Sequence, residues 1–308
     1  MDPITAALDA AQRQLPSIEC RLNEPMKNHT SFKIGGPVRA MFLPKSTQEL
    51  INLHSVLRES GINPFVMGNG TNLLVADCAP ELCVIKTTEL RDIELVSETQ
   101  IRADCGVLLS KLAVFACRHG LCGLEFAHGI PGTLGGAVSM NAGAYGGEMK
   151  DVVVETQAVG AAGSFAVTEH EFSYRHSRFS DCNDVILSTA MQLQKGDSES
   201  IRAQMDDLAA RRRESQPLEL SSAGSTFKRP AGGYAAALID QSGLKGFSIG
   251  GAAVSDKHAG FIVNRGGASF DDVMAVIEHV RQTVFKRFGI ELMPEIKIIR
   301  SNNRFVEV

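Results

Sequence analysis

Residues 123–147 constrain this chain more than any other part of its sequence. They read GLEFAHGIPGTLGGAVSMNAGAYGG, which is too rich in glycine and small residues for continuous regular structure. The low charge of the stretch argues against a solvated linker. Because glycine has no Cβ, its backbone can approach another group closely. We therefore expect this stretch to lie against a ligand or a tightly packed neighbour.

A second glycine-containing loop, Gly68-Asn69-Gly70-Thr71-Asn72, separates two short apolar segments that we predict to be strands. Its exposed N–H groups and its Thr and Asn side chains can cradle a diphosphate. A tight turn with positive φ angles explains the same residues equally well. Neither this loop nor the 123–147 stretch has the glycine spacing of the Rossmann dinucleotide fingerprint.

Two short segments of the 123–147 stretch would let a flat ring or a phosphate lie directly on the backbone. They are Gly129-Ile130-Pro131-Gly132 and Gly135-Gly136-Ala137. Tight packing alone remains an alternative explanation of these glycines.

Helical and strand patterns alternate along the rest of the chain without a fixed repeat, which favours the α+β class. A capping box at Ser46 and Glu49 predicts a helix that ends at Gly61. Further helices are predicted at residues 107–119, 198–214, 234–241 and 269–288, and strands at residues 64–67, 73–75, 152–167, 184–193 and 290–299. A domain boundary near residue 200 fits this order.

The composition, 44% hydrophobic and 21% charged over 308 residues, is that of a globular protein with two or three compact units. A formal net charge of -4 offers no electrostatic footprint for nucleic acid or an anionic membrane. No segment reaches the roughly 18 apolar residues of a membrane span, and the first residues do not form a secretory signal. We therefore expect a cytoplasmic protein. The seven cysteines form no C-x-x-C pair and the histidines lack metal-ligand spacing, so we expect reduced thiols and no metal.

Seven segments of the chain resemble, in order, the signatures of the UDP-N-acetylenolpyruvoylglucosamine reductase family. They are NHTSFKIGGP (28–37), GNGTNLLV (68–75), GLEFAHGIPGTLGGAVSMNAGAYGGE (123–148), FSYRHSRF (172–179), AGSTFKRP (223–230), KHAGFIVN (257–264) and GIELMPEIKII (289–299). Their joint occurrence is far more specific than any one of them. The chain between FSYRHSRF and AGSTFKRP is short. In this respect the sequence resembles the short form of the family, which lacks an inserted substrate loop.

The resemblance implies an FAD-binding region of the vanillyl-alcohol-oxidase (PCMH) type over residues 1–200, in two subdomains that divide near residues 70–80. A C-terminal α+β substrate-binding domain would follow over residues 201–308. FAD would lie, non-covalently, between the 68–72 loop and the 129–147 stretch. The expected contacts are Gly68, Asn69, Gly70, Thr71, Asn72, Gly129, Ile130, Pro131, Gly132, Gly135, Gly136 and Ala137.

The implied reaction is the reduction of UDP-N-acetylglucosamine enolpyruvate to UDP-N-acetylmuramate, a step of peptidoglycan precursor synthesis. NADPH would be the hydride donor, and we expect the protein to act as a monomer on these small molecules. Two alternatives stay open: another FAD-linked sugar or alcohol oxidase of the same superfamily, and a flavin- or nucleotide-sugar-binding module without catalysis.

Three residues match the family's catalytic positions. Arg175 would neutralise the substrate carboxylate and its enolate, a task suited to a permanently charged planar guanidinium. Ser225 would protonate the enolate carbon, and Glu295, as a neutral acid, would hydrogen-bond the enol. Taken singly, these residues are better explained by a solvated arginine, a serine in a turn and an outward-facing strand glutamate.

Substrate contacts are expected from Tyr174 and from Lys228, since cations beside a turn suit the UDP diphosphate. Tyr234 and Asn264 are further candidates. The run Arg211-Arg212-Arg213 ends a polar helix, where a solvated charge cluster is the ordinary interpretation, and it is not included in the predicted site.

Overall fold

A computed structural model describes residues 3–300, apart from the side chains of Pro3 and Pro80. The chain forms two compact units. The first unit contains the residues up to Arg21, Ala40–Asn69 and Cys83–Arg212, and the second contains Leu22–Arg39, Gly70–Leu82 and the residues from Arg213 onward.

Seven α-helices occur in the described residues: α1 (Pro3–Gln14), α2 (Thr47–Glu59), α3 (Leu109–Arg118), α4 (Leu134–Ser139), α5 (Ser198–Ser215), α6 (Ala235–Gln241) and α7 (Phe270–Phe288). Three 3₁₀ turns lie at Met26–Asn28, Glu125–Ala127 and Met149–Asp151. Capping residues in the sequence account for the ends of α2 and α7. Ser46 accepts a hydrogen bond from the N–H of Glu49 at 3.2 Å and so caps α2 as predicted, but the Glu49 carboxylate accepts from the N–H of Lys45 at 2.7 Å, so only half of the predicted capping box is present. Ser269 and Asp272 form the capping box of α7, and Gly289, at φ 68°, ends that helix.

The strands are β1 (Glu19–Pro25), β2 (Pro37–Leu43), β3 (Phe65–Met67), β4 (Leu73–Val75), β5 (Ala79–Lys86), β6 (Ile93–Ser97), β7 (Gln100–Asp104), β8 (Leu121–Cys122), β9 (Gly143–Ala144), β10 (Gly147–Glu148), β11 (Val153–Gly160), β12 (Gly163–Val167), β13 (Val185–Gln192), β14 (Gln194–Lys195), β15 (Ser221–Ser225), β16 (Ser248–Ile249), β17 (Ala252–Val254), β18 (Phe261–Asn264) and β19 (Lys297–Ile299). One four-stranded sheet has the order β1-β2-β5-β3, and the chain passes from one unit to the other within β1, β2 and β5.

The first unit is built on a five-stranded sheet with the order β12-β11-β13-β7-β6. Apolar side chains of β7 and β13, among them Ile101, Leu187 and Met191, join the helices α3 and α4 in one buried core. The predicted 152–167 strand is the β11–β12 hairpin, in which Thr156 pairs with Val167. The short helix α4 was not predicted, because its two glycines suggest a loop.

The second unit contains a four-stranded antiparallel sheet, β15-β18-β17-β16, packed against α7. Val273, Ile277, Val280 and Val284 are fully buried on α7, as the periodicity predicts. The predicted 290–299 strand is wrong over most of its length, since only Lys297–Ile299 forms a strand, paired in parallel with β4. Pro294, which has no N–H to donate, interrupts the pattern. No helix of the described chain is long and apolar enough to cross a membrane.

Candidate active site

Two of the predicted cofactor loops meet within the first unit. A Cβ added to Gly68 would lie 1.9 Å from Thr133 Oγ1, so only glycine allows this close approach. The side chain of Asn69 donates a hydrogen bond to the carbonyl oxygen of Pro131 at 2.9 Å. Residues 68–69 and 131–133 therefore form one continuous surface of backbone and small side chains.

The glycines of the 129–136 segment have different structural tasks. Gly135 donates its N–H to the Cys105 carbonyl at 2.8 Å, and an added Cβ would lie 2.9 Å from the Cys105 Cβ. Gly135 is thus needed for packing. Gly136 is exposed, and an added Cβ would have no neighbour closer than 3.7 Å, which leaves that part of the backbone accessible.

Arg212 is the residue of this region that the sequence analysis missed. Its Nη1 donates to the carbonyl oxygen of Gly129, and its guanidinium lies 5.9 Å from the centroid of the Tyr145 ring. A Cβ on Gly129 would lie 3.1 Å from Arg212 Nε, so the glycine makes room for the cation. Arg211, by contrast, is exposed and pairs with Asp207 at 2.9 Å, as expected for a solvated charge run. Nothing in the sequence distinguishes the two arginines.

Two buried polar atoms beside Gly129 lack a hydrogen-bond partner among the described residues: Arg212 Nε and His128 Nδ1. An unsatisfied buried polar atom costs about 1–3 kcal/mol, and a bound ligand with polar edges would remove that cost. The heteroatoms of a flavin or a diphosphate can pair with both. The residues present therefore fit FAD, with the glycine-lined backbone for close approach and two unsatisfied polar atoms.

The other half of the phosphate-loop candidate belongs to the second unit. The carbonyl oxygen of Gly70, a residue with φ 63°, accepts a hydrogen bond from the N–H of Ser31 at 3.1 Å. Asn72 donates from Nδ2 to the carbonyl of Glu295 at 3.2 Å and accepts from the N–H of Lys297 at 2.8 Å. Asn72 therefore fixes the backbone around Glu295, a contact that its position in the sequence does not indicate.

Ser225 and Glu295 come together in the second unit on paired chain segments. Phe227 forms a bridge with Pro294, and the N–H of Glu295 donates to the carbonyl of Thr226 at 2.8 Å. The buried Thr226 is held in turn, because its Oγ1 accepts from the N–H of Ile262 at 3.1 Å. Ser225 is exposed and Glu295 half-buried, so both remain open to a ligand.

Arg175 lies in the first unit on a tight turn. Ser173 and His176 exchange backbone hydrogen bonds of 3.0 and 3.3 Å across it. Arg175 has φ 56°, a left-handed conformation that costs a residue with a Cβ roughly 1 kcal/mol or more. Its Nη2 donates to the carbonyl of Gly143 at 3.2 Å, and the guanidinium lies 5.1 Å from the Tyr174 ring centroid. Strain of this kind is typical of functional sites.

The two predicted substrate contacts are on the surface. Tyr174 and Lys228 are exposed, and the N–H of Lys228 donates to the carbonyl of Met293 at 2.8 Å. Within residues 3–300, no group of three or more His, Cys, Asp or Glu side chains is arranged to hold a metal ion. The histidines have other tasks: for example, His29 pairs with Glu24 at 2.7 Å.

Comparison with known proteins identifies the families that two regions of the chain resemble. Residues 38–169 match the sequence model of the FAD binding domain family. Residues 216–299 match the C-terminal domain of UDP-N-acetylenolpyruvoylglucosamine reductase. With its mixed helices and sheets, the chain has the FAD-binding fold of the vanillyl-alcohol-oxidase type, and it is an FAD-dependent oxidoreductase.

Relatives that match nearly the full length of the chain identify the family more closely than the two domain models do. The UDP-N-acetylenolpyruvoylglucosamine reductase of Caldanaerobacter subterraneus is 51% identical over 281 residues, covering 90% of this chain and 93% of the relative. The protein of the same name from Syntrophomonas wolfei is 48% identical over 289 residues, covering 92% and 96%. The crystal structure of the Thermus caldophilus reductase superposes with a TM-score of 0.77 at 32% identity, covering 92% of this chain and 98% of that one. The chain belongs to the UDP-N-acetylenolpyruvoylglucosamine reductase family.

Proposed function

We propose that this protein reduces UDP-N-acetylglucosamine enolpyruvate to UDP-N-acetylmuramate with NADPH as the reductant, in peptidoglycan precursor synthesis. The observation that carries the proposal is the pairing of the Ser225 and Glu295 segments, two residues 70 positions apart in the sequence. A sugar oxidase needs a base for substrate oxidation, whereas a hydroxyl and a carboxyl group on neighbouring segments suit protonation of an enolate. Family membership favours the reductase over the oxidase and over a module without catalysis.

FAD, when bound, would supply the redox chemistry that connects NADPH to the methylene carbon of the enolpyruvyl ether. We assign its contacts to Gly68, Asn69, Gly70, Thr71, Asn72, Gly129, Ile130, Pro131, Gly132, Gly135, Gly136 and Ala137. The approach of Asn69 to Pro131 and the two unpartnered atoms beside Gly129 support this assignment. Since Gly135 is committed to packing against Cys105, its contribution would be to shape the backbone.

Arg175 binds the substrate carboxylate and stabilises the enolate that forms beside it. A guanidinium keeps its charge at any physiological pH and offers donors in a planar fork that matches a carboxylate. Its strained backbone conformation and its hydrogen bond to the carbonyl of Gly143 support a residue held in place for a ligand.

Ser225 donates its hydroxyl proton to the enolate carbon, and Glu295 donates a hydrogen bond to the enol oxygen. A serine hydroxyl is a weak acid, so this step depends on nearby groups that stabilise the alkoxide. The cationic Lys228, three residues after Ser225, is suited to that task and to the UDP diphosphate. Tyr174 would contact the substrate beside Arg175. We propose a monomeric enzyme of the cytoplasm.

The test is to purify the protein, record its visible spectrum and follow NADPH oxidation with and without the enolpyruvyl substrate. We expect bound flavin and NADPH consumption that requires the substrate. In Ser225→Ala, that consumption should collapse while the flavin stays bound and reducible by NADPH. A flavin that ignores the enolpyruvyl substrate would point to the oxidase, and a colourless protein that binds no added FAD would refute the proposal.

A further inference from the structure

Asn141 is a buried polar residue with no role in the reaction as described above. It is 0% exposed and has φ 44°, a left-handed conformation that asparagine tolerates better than other residues with a Cβ. Its sequence neighbourhood, M-N-A-G-A-Y-G-G-E, gives no sign of a catalytic task.

The side chain of Asn141 connects three separate segments of the first unit. Its Nδ2 donates to Glu148 Oε2 and to the carbonyl of Ser173, both at 2.9 Å. Its Oδ1 accepts from the N–H of Lys150 at 3.0 Å. Both amide hydrogens are therefore used, and the carbonyl oxygen is satisfied as well.

Two of these partners, Ser173 and Glu148, belong to the segments that surround Arg175. Ser173 is the first residue of the turn that ends at His176, and Arg175 lies within this turn in its strained conformation. Glu148 pairs with Gly143 in the β9–β10 hairpin, and the carbonyl of Gly143 accepts the hydrogen bond from Arg175. Asn141 thus holds both the turn that carries the arginine and the hairpin that receives its guanidinium.

Glu148 adds an electrostatic link to the same group. Its carboxylate pairs with Lys150 at 2.8 Å. Hydrogen bonding to Lys150, and to a lesser degree the hydrogen bond from Asn141 and the positive charge of Arg175, keep the pKa of Glu148 below its usual value. The carboxylate therefore stays ionised beside the hairpin and partly balances the charge of Arg175.

We propose that Asn141 is a positioning residue, which acts through Ser173 and the Gly143–Glu148 hairpin to hold the Arg175 guanidinium in place for the substrate carboxylate. The proposal rests on the proposed role of Arg175. It assigns Asn141 to the step that consumes the enolpyruvyl substrate, and it leaves the reduction of the flavin by NADPH independent of this residue.

A test must separate positioning from a contribution to folding. Asn141→Gly removes the amide while allowing the left-handed backbone conformation. Asn141→Asp keeps the shape of the side chain. It replaces the amide nitrogen, which donates two hydrogen bonds, with a carboxylate oxygen that can only accept and that faces Glu148 and the carbonyl of Ser173. Thr189→Val is a matched control, because it removes a different buried polar contact of the first unit, the 3.2 Å hydroxyl pair with Thr156.

The two half-reactions are measured in anaerobic stopped flow on the FAD-loaded proteins. We expect Asn141→Gly and Asn141→Asp to be reduced by NADPH at the wild-type rate. Reoxidation of their flavin by UDP-N-acetylglucosamine enolpyruvate should slow roughly 10–100-fold, since a small displacement of a charged group costs about that much. Thr189→Val should match the wild type in both half-reactions. In an Arg175→Lys background, Asn141→Gly should cause little further slowing.

Three results would overturn this inference: unchanged reoxidation in both Asn141 variants, equal slowing of both half-reactions, or a full additional effect in the Arg175→Lys background. The wild type and Arg175→Lys distinguish this failure from failure of the proposed function. If wild-type flavin is not reoxidised by the enolpyruvyl substrate, the function itself is refuted. If it is, and Arg175→Lys slows it while the Asn141 variants do not, only the positioning role is refuted.

Discussion

In the second unit, Ser225 and Glu295 lie on chain segments that are joined by main-chain hydrogen bonds from Glu295 to Thr226 and from Lys228 to Met293. In the first unit, the turn that carries Arg175 is closed by two main-chain hydrogen bonds between Ser173 and His176, and the amide of Asn141 attaches this turn to the β9–β10 hairpin. A main-chain ladder survives replacement of the side chains that it carries, whereas an attachment made by one side-chain amide does not. The comparison predicts that substitutions near Ser225 alter chemistry alone, and that substitutions near Arg175 and the glycine loops also alter geometry.

The largest effect should come from Ser225→Ala in the second unit. Loss of a positioned proton donor lowers the rate of reoxidation by the substrate roughly 10²–10⁴-fold. Because Ser225 is exposed and its strand is held by backbone bonds, the melting temperature should stay unchanged. Stopped-flow reoxidation and thermal unfolding measure the two quantities, with Ser248→Ala, an exposed serine of β16, as the matched control. A large fall in stability would contradict the comparison.

In the first unit, we compare the effect on FAD binding of replacing Arg212 with the effect of replacing its neighbour Arg211. Removal of a charged donor to the cofactor costs roughly 1.5–3 kcal/mol, which corresponds to about 10–100-fold weaker FAD binding in Arg212→Gln. Arg211→Gln should bind FAD as the wild type does, because Arg211 pairs with Asp207 at the surface. Titration of the apoprotein with FAD gives both affinities. Equal affinities of the two variants would exclude the assigned role of Arg212.

Gly68→Ala tests the contact between the 68–69 and 131–133 loops. The added Cβ would overlap the hydroxyl of the buried Thr133, so the loops must separate, and we expect a loss of about 1–3 kcal/mol in the free energy of unfolding. Gly233→Ala is the control, since an added Cβ there has no neighbour within 4 Å. Denaturant unfolding of both variants measures the difference. A Gly68→Ala variant as stable as Gly233→Ala would show that these loops are not in close contact.

The smallest expected effect is the dependence of the melting temperature on pH, to which histidines of both units contribute. Burial lowers the pKa of His54 and His170 in the first unit and of His258 in the second. The unfolded chain therefore binds more protons than the folded one as the pH falls below about 6.5, and stability must fall with it. We expect a lower melting temperature at about pH 5.5 than at about pH 7.5, and a weaker dependence in His170→Gln. A melting temperature that rises on acidification would contradict this assignment.

The elements with a clear local pattern were predictable from the sequence, whereas the helices α1 and α4, several strands and the contacts between elements were not. The caps of α2 and α7 and the apolar face of α7 depend on local patterns that the sequence displays. Other contacts depend on residues that are distant in the sequence. These are the hydrogen bonds of Arg212 to Gly129, of Asn72 to Glu295 and of Asn141 to Ser173. In the 290–299 segment, the strand pattern was present, but Pro294 and the short pairing partner β4 limit the strand to three residues.

The central claim is that this chain adds a hydride and a proton across the enolpyruvyl double bond. Its most direct test is to incubate the FAD-loaded protein with NADPH and UDP-N-acetylglucosamine enolpyruvate in D₂O and to analyse the product by NMR. The Ser225 hydroxyl exchanges with solvent, so we predict UDP-N-acetylmuramate with deuterium on the carbon next to the carboxylate. Unchanged enolpyruvyl substrate, with NADPH consumed only when oxygen is admitted, would contradict the account.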